Sequence, residues 1–267
     1  MNYTINVPSY QRADTVEAKT LATLDRHGID RQRVTVWVAN EQERTTYAAA
    51  LGDRWAIQIA APGLVPARIA YHQHHPKGTP IVNIDDDVTR ILVADGKKLT
   101  DFKGNLDAFF NDAFATCEAE GARLWGINAA ANPLYMNHRY TVGLRYNIGA
   151  MFGSYAGDPI FTHTARSGES SGEDFETTLM AFTRDGATVR YDGVTIRTAY
   201  FASGGIDAEL AAQGIADRQT DHHRRLTQIA AAYPGLASTY TKAGGVTNIR
   251  LKPITAHQIT LDPARWE

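Results

Sequence analysis

Among its 267 residues the chain holds a single cysteine, Cys117, which excludes an internal disulfide and points to a reducing compartment. No apolar run reaches the roughly 18 residues that a membrane-spanning helix needs. Residues Met1 to Val7 have neither the basic start nor the long apolar stretch of a secretory signal. A cytoplasmic protein is the expectation. An excess of one charge is also missing. With 27 Lys and Arg against 29 Asp and Glu, the net charge is -2 and the pI is near 6.5, so no global positive field advertises a nucleic-acid partner, although local basic patches remain compatible with one. Internal repeats and low-complexity segments are absent as well, and no apolar stripe reveals an oligomeric state.

What is present reads as alternating strand and helix. Tyr3 to Val7 is an expected strand, and Pro8 to Arg12 the loop after it. A helix follows, with Asp14 as its N-cap, Glu17 three places on, Leu21 and Leu24 on one face, and Gly28 as its stop. Val34 to Val38 is a second buried strand, and a polar helical stretch leads from it to Leu51. Trp55 to Ala60, Pro80 to Ile84 and Leu124 to Asn128 are further strands, and Val65 to His75 is a short helix carrying Arg68. The most regular helix lies between Asn105 and Gly121, where Leu106, Phe109, Phe110, Ala113, Phe114 and Cys117 fall on one face. This order predicts an α/β fold with a mostly parallel sheet flanked by helices. Tyr140 to Phe152 breaks the pattern as irregular or antiparallel strands. Ser171 to Asp174 opens another helix, and Val189 to Tyr200 has strand character. From Gly204 onward the expectation is loop, a helix around Arg224 to Tyr233, and a glycine-containing tail.

Three consecutive acids, Asp85, Asp86 and Asp87, close the apolar run Pro80 to Ile84. Two unit charges about 4 Å apart repel by about 4 kcal/mol at an effective dielectric near 20, so carboxylates held this close call for a cation. Hard oxygen ligands favour Mg2+ or Mn2+, with phosphate oxygens of a substrate completing the shell. The plainer alternative is that Asp85 ends a strand and Asp87 caps the next segment. In open α/β sheets, ligands bind beyond the carboxyl ends of the strands, and Pro8 to Arg12, Asn40-Glu41 and Asp85 to Asp87 all fall at such ends. A nucleoside diphosphate suits that convergence. Asn40 or Glu41 would bond base or ribose, while Arg12 and Arg68 would neutralise phosphate.

The succession Ile5-Asn6-Val7-Pro8-Ser9-Tyr10-Gln11-Arg12, a strand ending Asn40-Glu41, Ile84-Asp85-Asp86-Asp87, and Gly172-Glu173-Asp174 opening a helix resembles the GT-A fold of nucleotide-sugar glycosyltransferases. The resemblance covers about the first two thirds of the chain. Within that fold the layout looks most like the TET-associated glycosyltransferases of bacteriophages, which implies transfer of a sugar to 5-hydroxymethylcytosine in DNA, in the host cytoplasm. It implies a Rossmann-like GT-A core over residues 1–200 and an irregular extension, 201–267, completing the active site within one structural domain. Asp85 and Asp87 match the outer acids of the Asp-x-Asp motif, implying metal and diphosphate binding, with Asp86 nearby. Pro8, Ser9, Tyr10 and Arg12 match the nucleotide-lining loop, and Asn40 and Glu41 stand at the base- or ribose-binding position. The donor implied is a UDP-sugar, UDP-glucose above others. Asp174 matches the last acid of the x-Glu-Asp motif, implying the general base, with Glu173 holding acceptor or loop. Relatives also supply a late histidine to the metal. Of His222, His223 and His257, His222 is preferred, because Asp221 beside it can orient the imidazole.

The chemistry itself asks for the same groups. A metal stabilises charge developing on a leaving diphosphate, and a hydroxyl acceptor needs a carboxylate within about 3 Å to take its proton, a role that suits Asp174. Glu173 and Asp174 also fit an ordinary helix start, with Ser171 and an acid three residues on as a capping box. Basic residues at 222–225, Lys242, Arg250 and Lys252 could meet a phosphate backbone, and Tyr135, Tyr140, Tyr146 and Phe152 could stack on sugar or base.

Asp85 to Thr89 also spells Asp-x-Asp-x-Thr, the nucleophile pattern of haloacid-dehalogenase-like phosphatases, in which Asp85 would be phosphorylated. Three strands precede it here, where that pattern belongs on the first. A sugar-phosphate nucleotidyltransferase would need a glycine-rich loop near residue 10, which the chain lacks. A non-catalytic nucleic-acid-binding module leaves the gathering of acids at strand ends unexplained.

Overall fold

Alternation with a period of two builds the centre of the molecule. In strand β1 (Thr4–Pro8), Ile5 and Val7 enter one apolar cluster while Asn6 faces the other side and accepts from Trp37 Nε1 at 2.7 Å. Strands β2 (Val34–Val38) and β4 (Pro80–Ile84) repeat the rule: Val34, Val36, Val38, Val82 and Ile84 join Ile5, whereas Trp37, Ile81 and Asn83 face away. The computed structural model describes residues 2–159, 171–198, 218–242 and 244–266.

The remaining strands of the main sheet are β3 (Ala56–Ile59), β7 (Trp125–Ile127), β8 (Arg139–Leu144), β9 (Met151–Tyr155), β10 (Thr188–Tyr191) and β14 (Ile254–Thr260). Their order is β14-β8-β10-β7-β9-β4-β1-β2-β3, with β8 and β9 running against the rest. A smaller sheet, β11-β5-β6, comprises β5 (Val88–Asp95), β6 (Lys98–Asp101) and β11 (Val194–Thr198). A separate ribbon pairs β12 (Ala237–Thr241) with β13 (Thr247–Leu251). The fold is thus α/β with a mixed, mostly parallel sheet, as expected. Each strand expected before residue 130 is present. The run expected from Val189 to Tyr200 divides into β10 and β11 at Asp192-Gly193, each half entering a different sheet. The tail expected to be irregular supplies three strands, and β14 completes the main sheet.

Helices cover both faces. On one lie α1 (Ala13–Val16, π-helical Glu17–Leu21, then Ala22–Arg26), α2 (Glu41–Leu51) and α4 (Leu106–Ala119). Phe109, Phe110 and Phe114 of α4 pack edge-on or stacked against Trp125, with ring centroids 5.6–5.9 Å apart, a geometry that aromatic quadrupoles favour. Cys117 is buried in this layer. Helices α3 (Leu64–His74) and α5 (Glu173–Asp185) lie on the other face, where Ile69 and Met180 pack against Leu124 and Phe152. Helix α6 (Arg218–Ala232) packs on the β12–β13 ribbon through Leu226, Ile229, Ile249 and Leu251.

Caps follow the sequence in part. Asn105 Oδ1 accepts from Ala108 N at 3.0 Å, as expected of a cap, and Gly28 stops α1 with φ of 69°. Asp14, however, lies within the first turn of α1, because the helix begins at Ala13, two residues earlier than a cap at Asp14 would place it, with Arg12 at the N-cap position. Helix α5 starts at Glu173 with left-handed Gly172 as N-cap and no side-chain cap, so Ser171 does not form the expected capping box. Among the described residues no helix is long and apolar enough to cross a membrane.

Candidate functional site

The three aspartates follow β4 in the turn before β5, and each meets different neighbours. Asp86 follows Val82 and Ile84 toward α1, where it accepts from Ser9 Oγ at 2.7 Å and from Arg12 Nη1 at 3.2 Å. Asp85 follows Ile81 and Asn83 toward α3, with its Oδ1 3.2 Å from Arg68 Nη2. Asp87 has no ion pair among the described residues. The backbone is pinned on both sides: Asp85 N donates to Ala150 O at 3.0 Å, and Thr20 Oγ1 donates to Asp85 O at 2.6 Å while accepting from Val88 N at 3.0 Å. Thr20 lies in the π-helical turn of α1, a local widening common at functional sites.

Burial raises the carboxyl pKa at all three positions. Asp85 is pushed up to about 7, by burial first and then by Asp87, Asp86 and Glu173, with Arg68 pulling the other way. Burial also raises Asp86, opposed by Ser9 and Arg12, and raises Asp87, reinforced by Asp86. Ionisation of these carboxyls is thus resisted, and a divalent cation bound beside them would favour the charged form. Asp85, with its side chain 33% exposed, and the half-buried Asp87 are the oxygen donors open to such an ion. Among the described residues no group of three or more His, Cys, Asp or Glu is arranged to hold a metal alone. A hard ion here would take part of its shell from ligand oxygens, as Mg2+ and Mn2+ do beside phosphates.

Below the triplet, the guanidinium of Arg68 is 1% exposed and joins three elements. It is ion-paired to Glu173 and Asp85, donates to Gly149 O at 2.7 Å, and sits 5.1 Å over the Phe152 ring. Burial acts to lower the pKa of Arg68, but Glu173, Tyr71 and Asp85 outweigh it and the net shift is upward. Burial raises Glu173, with Arg68 opposing. Arg68 is therefore an internal tie between α3, α5 and the end of β4, with its charge matched inside the protein. Beside it on α5, Asp174 is half-buried. Its Oδ1 accepts from Phe175 N at 2.9 Å, its Oδ2 accepts from the Tyr146 hydroxyl, and the Tyr146 ring stacks on Phe175 with centroids 4.3 Å apart.

Gly149 is what lets these groups approach. A Cβ there would stand 2.6 Å from Glu173 Oε1 and 3.1 Å from Asp174 Cβ. Gly149→Ala should therefore lower unfolding stability by about 1–3 kcal/mol, read from urea midpoints. An unchanged midpoint would show that both carboxylates yield freely.

The other expected site residues divide. Pro8 and Ser9 are buried. Ser9 Oγ meets Tyr47 Oη as well as Asp86, both at 2.7 Å, and Tyr10 is half-buried in the same loop. Gln11 holds φ of 54° while its N–H donates to Glu43, and Arg12 N donates to Tyr47 Oη. Loop 8–12 and the triplet are thus brought together. Asn40 serves as N-cap of α2, accepting from Glu43 N at 2.9 Å, and exposed Glu41 pairs with Arg44. Half-buried His222 shares a face of α6 with Leu226 and Ile229 at helical spacing, and those two lie against Gly172 at the start of α5. His223 Nδ1 instead lies 2.6 Å from Thr247 Oγ1, and His257 Nε2 lies 2.9 Å from Glu120 Oε2 at the β14 edge. Thr89, the last position of the phosphatase-like pattern, belongs to β5 and donates to Arg197 O. Sequence reasoning did not single out Thr20, Tyr47 or Gly149. None of them has a local motif, and each acts through a partner distant in the chain.

Neither a protein-family model nor a curated protein matches the chain. Among solved structures, S. aureus TarS 1-349 superposes with a TM-score of 0.50 at 13% identity, covering 86% of this chain and 65% of that one. The same protein in complex with UDP gives a TM-score of 0.51 at 14% identity and the same coverage. The match spans 39% of the longer TarS chain. Glucosyl-3-phosphoglycerate synthase from Mycobacterium tuberculosis, with Mn2+, UDP and its glucosylated product, is looser at TM-score 0.43 and 14% identity, over 96% and 90% of the two chains. The α/β fold with its mostly parallel sheet matches the GT-A fold.

Proposed function

We propose that this chain transfers a hexose from a UDP-sugar, UDP-glucose foremost, to a hydroxyl acceptor, and that the acceptor is 5-hydroxymethylcytosine in DNA. The observation that carries the donor half is the acid triplet: partly buried, mutually repelling carboxylates at the end of β4 of a GT-A fold, with Asp174 presented by the start of α5. The UDP bound to a protein of similar fold supports it further. The acceptor half is supported by the order of sequence motifs described above.

In this reading Asp85 and Asp87 would hold Mn2+ or Mg2+ together with diphosphate oxygens, and His222, which is not arranged with them among the described residues, would join as a third ligand only on ligand binding. When bound, the metal supplies Lewis-acid stabilisation of charge on the leaving diphosphate. The loop Pro8, Ser9, Tyr10 and Arg12 lines the nucleotide, kept in shape by Asp86 and Tyr47, and Asn40 and Glu41 border the base. Arg68 keeps Asp85 and Glu173 in place. As the acceptor oxygen bonds to the anomeric carbon, the bond from that carbon to the diphosphate oxygen breaks and the acceptor proton passes to the Asp174 carboxylate. Tyr146 and the Phe175 amide hold that carboxylate in one orientation.

UDP with Mn2+ at about 100 times Kd should raise Tm by roughly 5–10 °C through mass action. Asp85→Ala and Asp87→Ala should each abolish that shift. Asp87 is the cleaner position, having no ion pair to lose. A shift surviving both substitutions removes the metal assignment. Incubation with UDP-glucose and hydroxymethylated DNA should add one hexose per modified base by mass spectrometry, and unmodified product would remove the acceptor.

A further inference from the structure

We infer that the outer face of the β12–β13 ribbon is the surface on which the phosphate backbone of DNA docks. The inference rests on the DNA-acceptor reading above and adds the location of the contact. Charge is distributed unevenly along the chain: between residues 218 and 252 fall six of the 27 Lys and Arg but only one of the 29 Asp and Glu. A strongly basic segment thus sits in a chain that is acidic elsewhere.

Strand register shows where part of that charge lies. The cross-strand pairs Ser238 with Arg250 and Tyr240 with Asn248 share a face, and alternation adds Lys242 and Lys252 at its two ends. The opposite face carries Ile249 and Leu251 and packs on α6. Lys242, Arg250 and Lys252 are all exposed, and no acid pairs with any of them among the described residues. Elsewhere on the surface, exposed arginines commonly lie against carboxylates: Arg31 with Asp25, Arg44 with Glu41, Arg54 with Glu17 and Arg90 with Asp101. The ribbon's arginine is held differently. Its guanidinium lies 5.0 Å over the Tyr240 ring, which orients the planar fork without neutralising it.

Unpaired cations of one sign, spaced along a strand, suit a row of phosphates. Asn248 and Ser238 between them add uncharged hydrogen-bonding groups of the kind that also meet sugar and phosphate oxygens. The ribbon belongs to the active-site side of the fold. Ile249 and Leu251 share one apolar cluster with Leu226, Ile229, Tyr146 and Phe175, Leu226 and Ile229 touch Gly172, and Tyr146 bonds Asp174. The ribbon that would hold the duplex is thus packed, through its inner face, onto the cluster that supports the element presenting the proposed base.

Fluorescence anisotropy of a labelled, unmodified DNA duplex against the full chain tests the inference. Wild-type protein should bind with steep salt dependence. The combined variant Lys242→Gln, Arg250→Gln, Lys252→Gln should bind about tenfold or more weakly, with the slope of log affinity against log salt reduced by about 2–3. Its melting shift with UDP and Mn2+ should equal that of wild type, which also reports an intact fold. Single variants Lys242→Gln and Lys252→Gln should each lower the slope by about one. Equal affinity and slope in wild type and the combined variant would overturn the docking surface while leaving DNA as acceptor. Failure of the wild type to bind duplex even at low salt, with the UDP shift intact, would overturn the surface and the DNA acceptor together and leave the donor reading standing.

Discussion

Replacing Asp174 by asparagine should lower hexose transfer by about 10²–10⁴-fold, the usual contribution of a positioned general base, while the melting shift with UDP and Mn2+ stays at the wild-type value. The separation follows from geometry. Asp174 is on α5, with Phe175 N on one oxygen and the Tyr146 hydroxyl and Gly149 N on the other, and among the described residues it makes no hydrogen bond to Asp85, Asp86 or Asp87. Asparagine keeps the oxygen that accepts from Phe175 N, loses the capacity to take a proton, and sets an amide NH2 where Oδ2 accepts from the Tyr146 hydroxyl and Gly149 N, a loss that leaves the donor site untouched. Single-turnover transfer from UDP-glucose to hydroxymethylated DNA is the measurement. Retained turnover would remove Asp174 as the base, and loss of the melting shift would show that its role is structural.

The largest stability effect is expected at Arg68. Arg68→Leu leaves Glu173 and Asp85 facing each other with no cation between them, and breaking a buried ion pair from one side costs about 3–5 kcal/mol. For a chain of this size that lowers Tm by roughly 6–20 °C. The double variant Arg68→Leu, Glu173→Leu should regain much of the loss, because removing both charges leaves no uncompensated carboxylate on α5. Thermal unfolding of wild type, single and double variants decides the matter. A single variant as stable as wild type would show that Arg68 ties nothing together. The outcome also bears on the sequence expectation that Arg68 neutralises substrate phosphate, since its guanidinium is already matched by two carboxylates and a carbonyl.

The same residue shows how far a sequence can be read. Helix α3 was legible, and so was Arg68 on it. What Arg68 touches was not, because Glu173 lies 105 positions away and meets it only through the folding of the sheet. Asp86 is a parallel case. A triplet of acids looks like one cluster, but the fold sends Asp86 to Ser9 and Arg12, sends Asp85 to Arg68, and leaves Asp87 without an ion pair among the described residues. Asn40 stood at a strand end, as expected of a ligand-binding position, yet the same place in the chain is the start of α2, and its side chain caps that helix. Strands β12 and β14 went unread because polar, exposed strands carry little apolar alternation, β14 being exposed from Thr255 to Thr260, and β13 alternates over five residues only, with Ile249 and Leu251 inward.

By itself the sequence determined the strands and helices of the first half other than β5 and β6, the placing of acids at the end of β4, and a helix opening within residues 171–174. These follow from periodicities of two and 3.6 that the backbone imposes on any chain. Only the tertiary structure decided which acid faces Arg68, that Tyr146 holds Asp174, and that the basic residues near the carboxyl terminus share one ribbon face. Those outcomes depend on which strands become neighbours and in what register, a choice made by long-range packing that no local stretch of residues encodes.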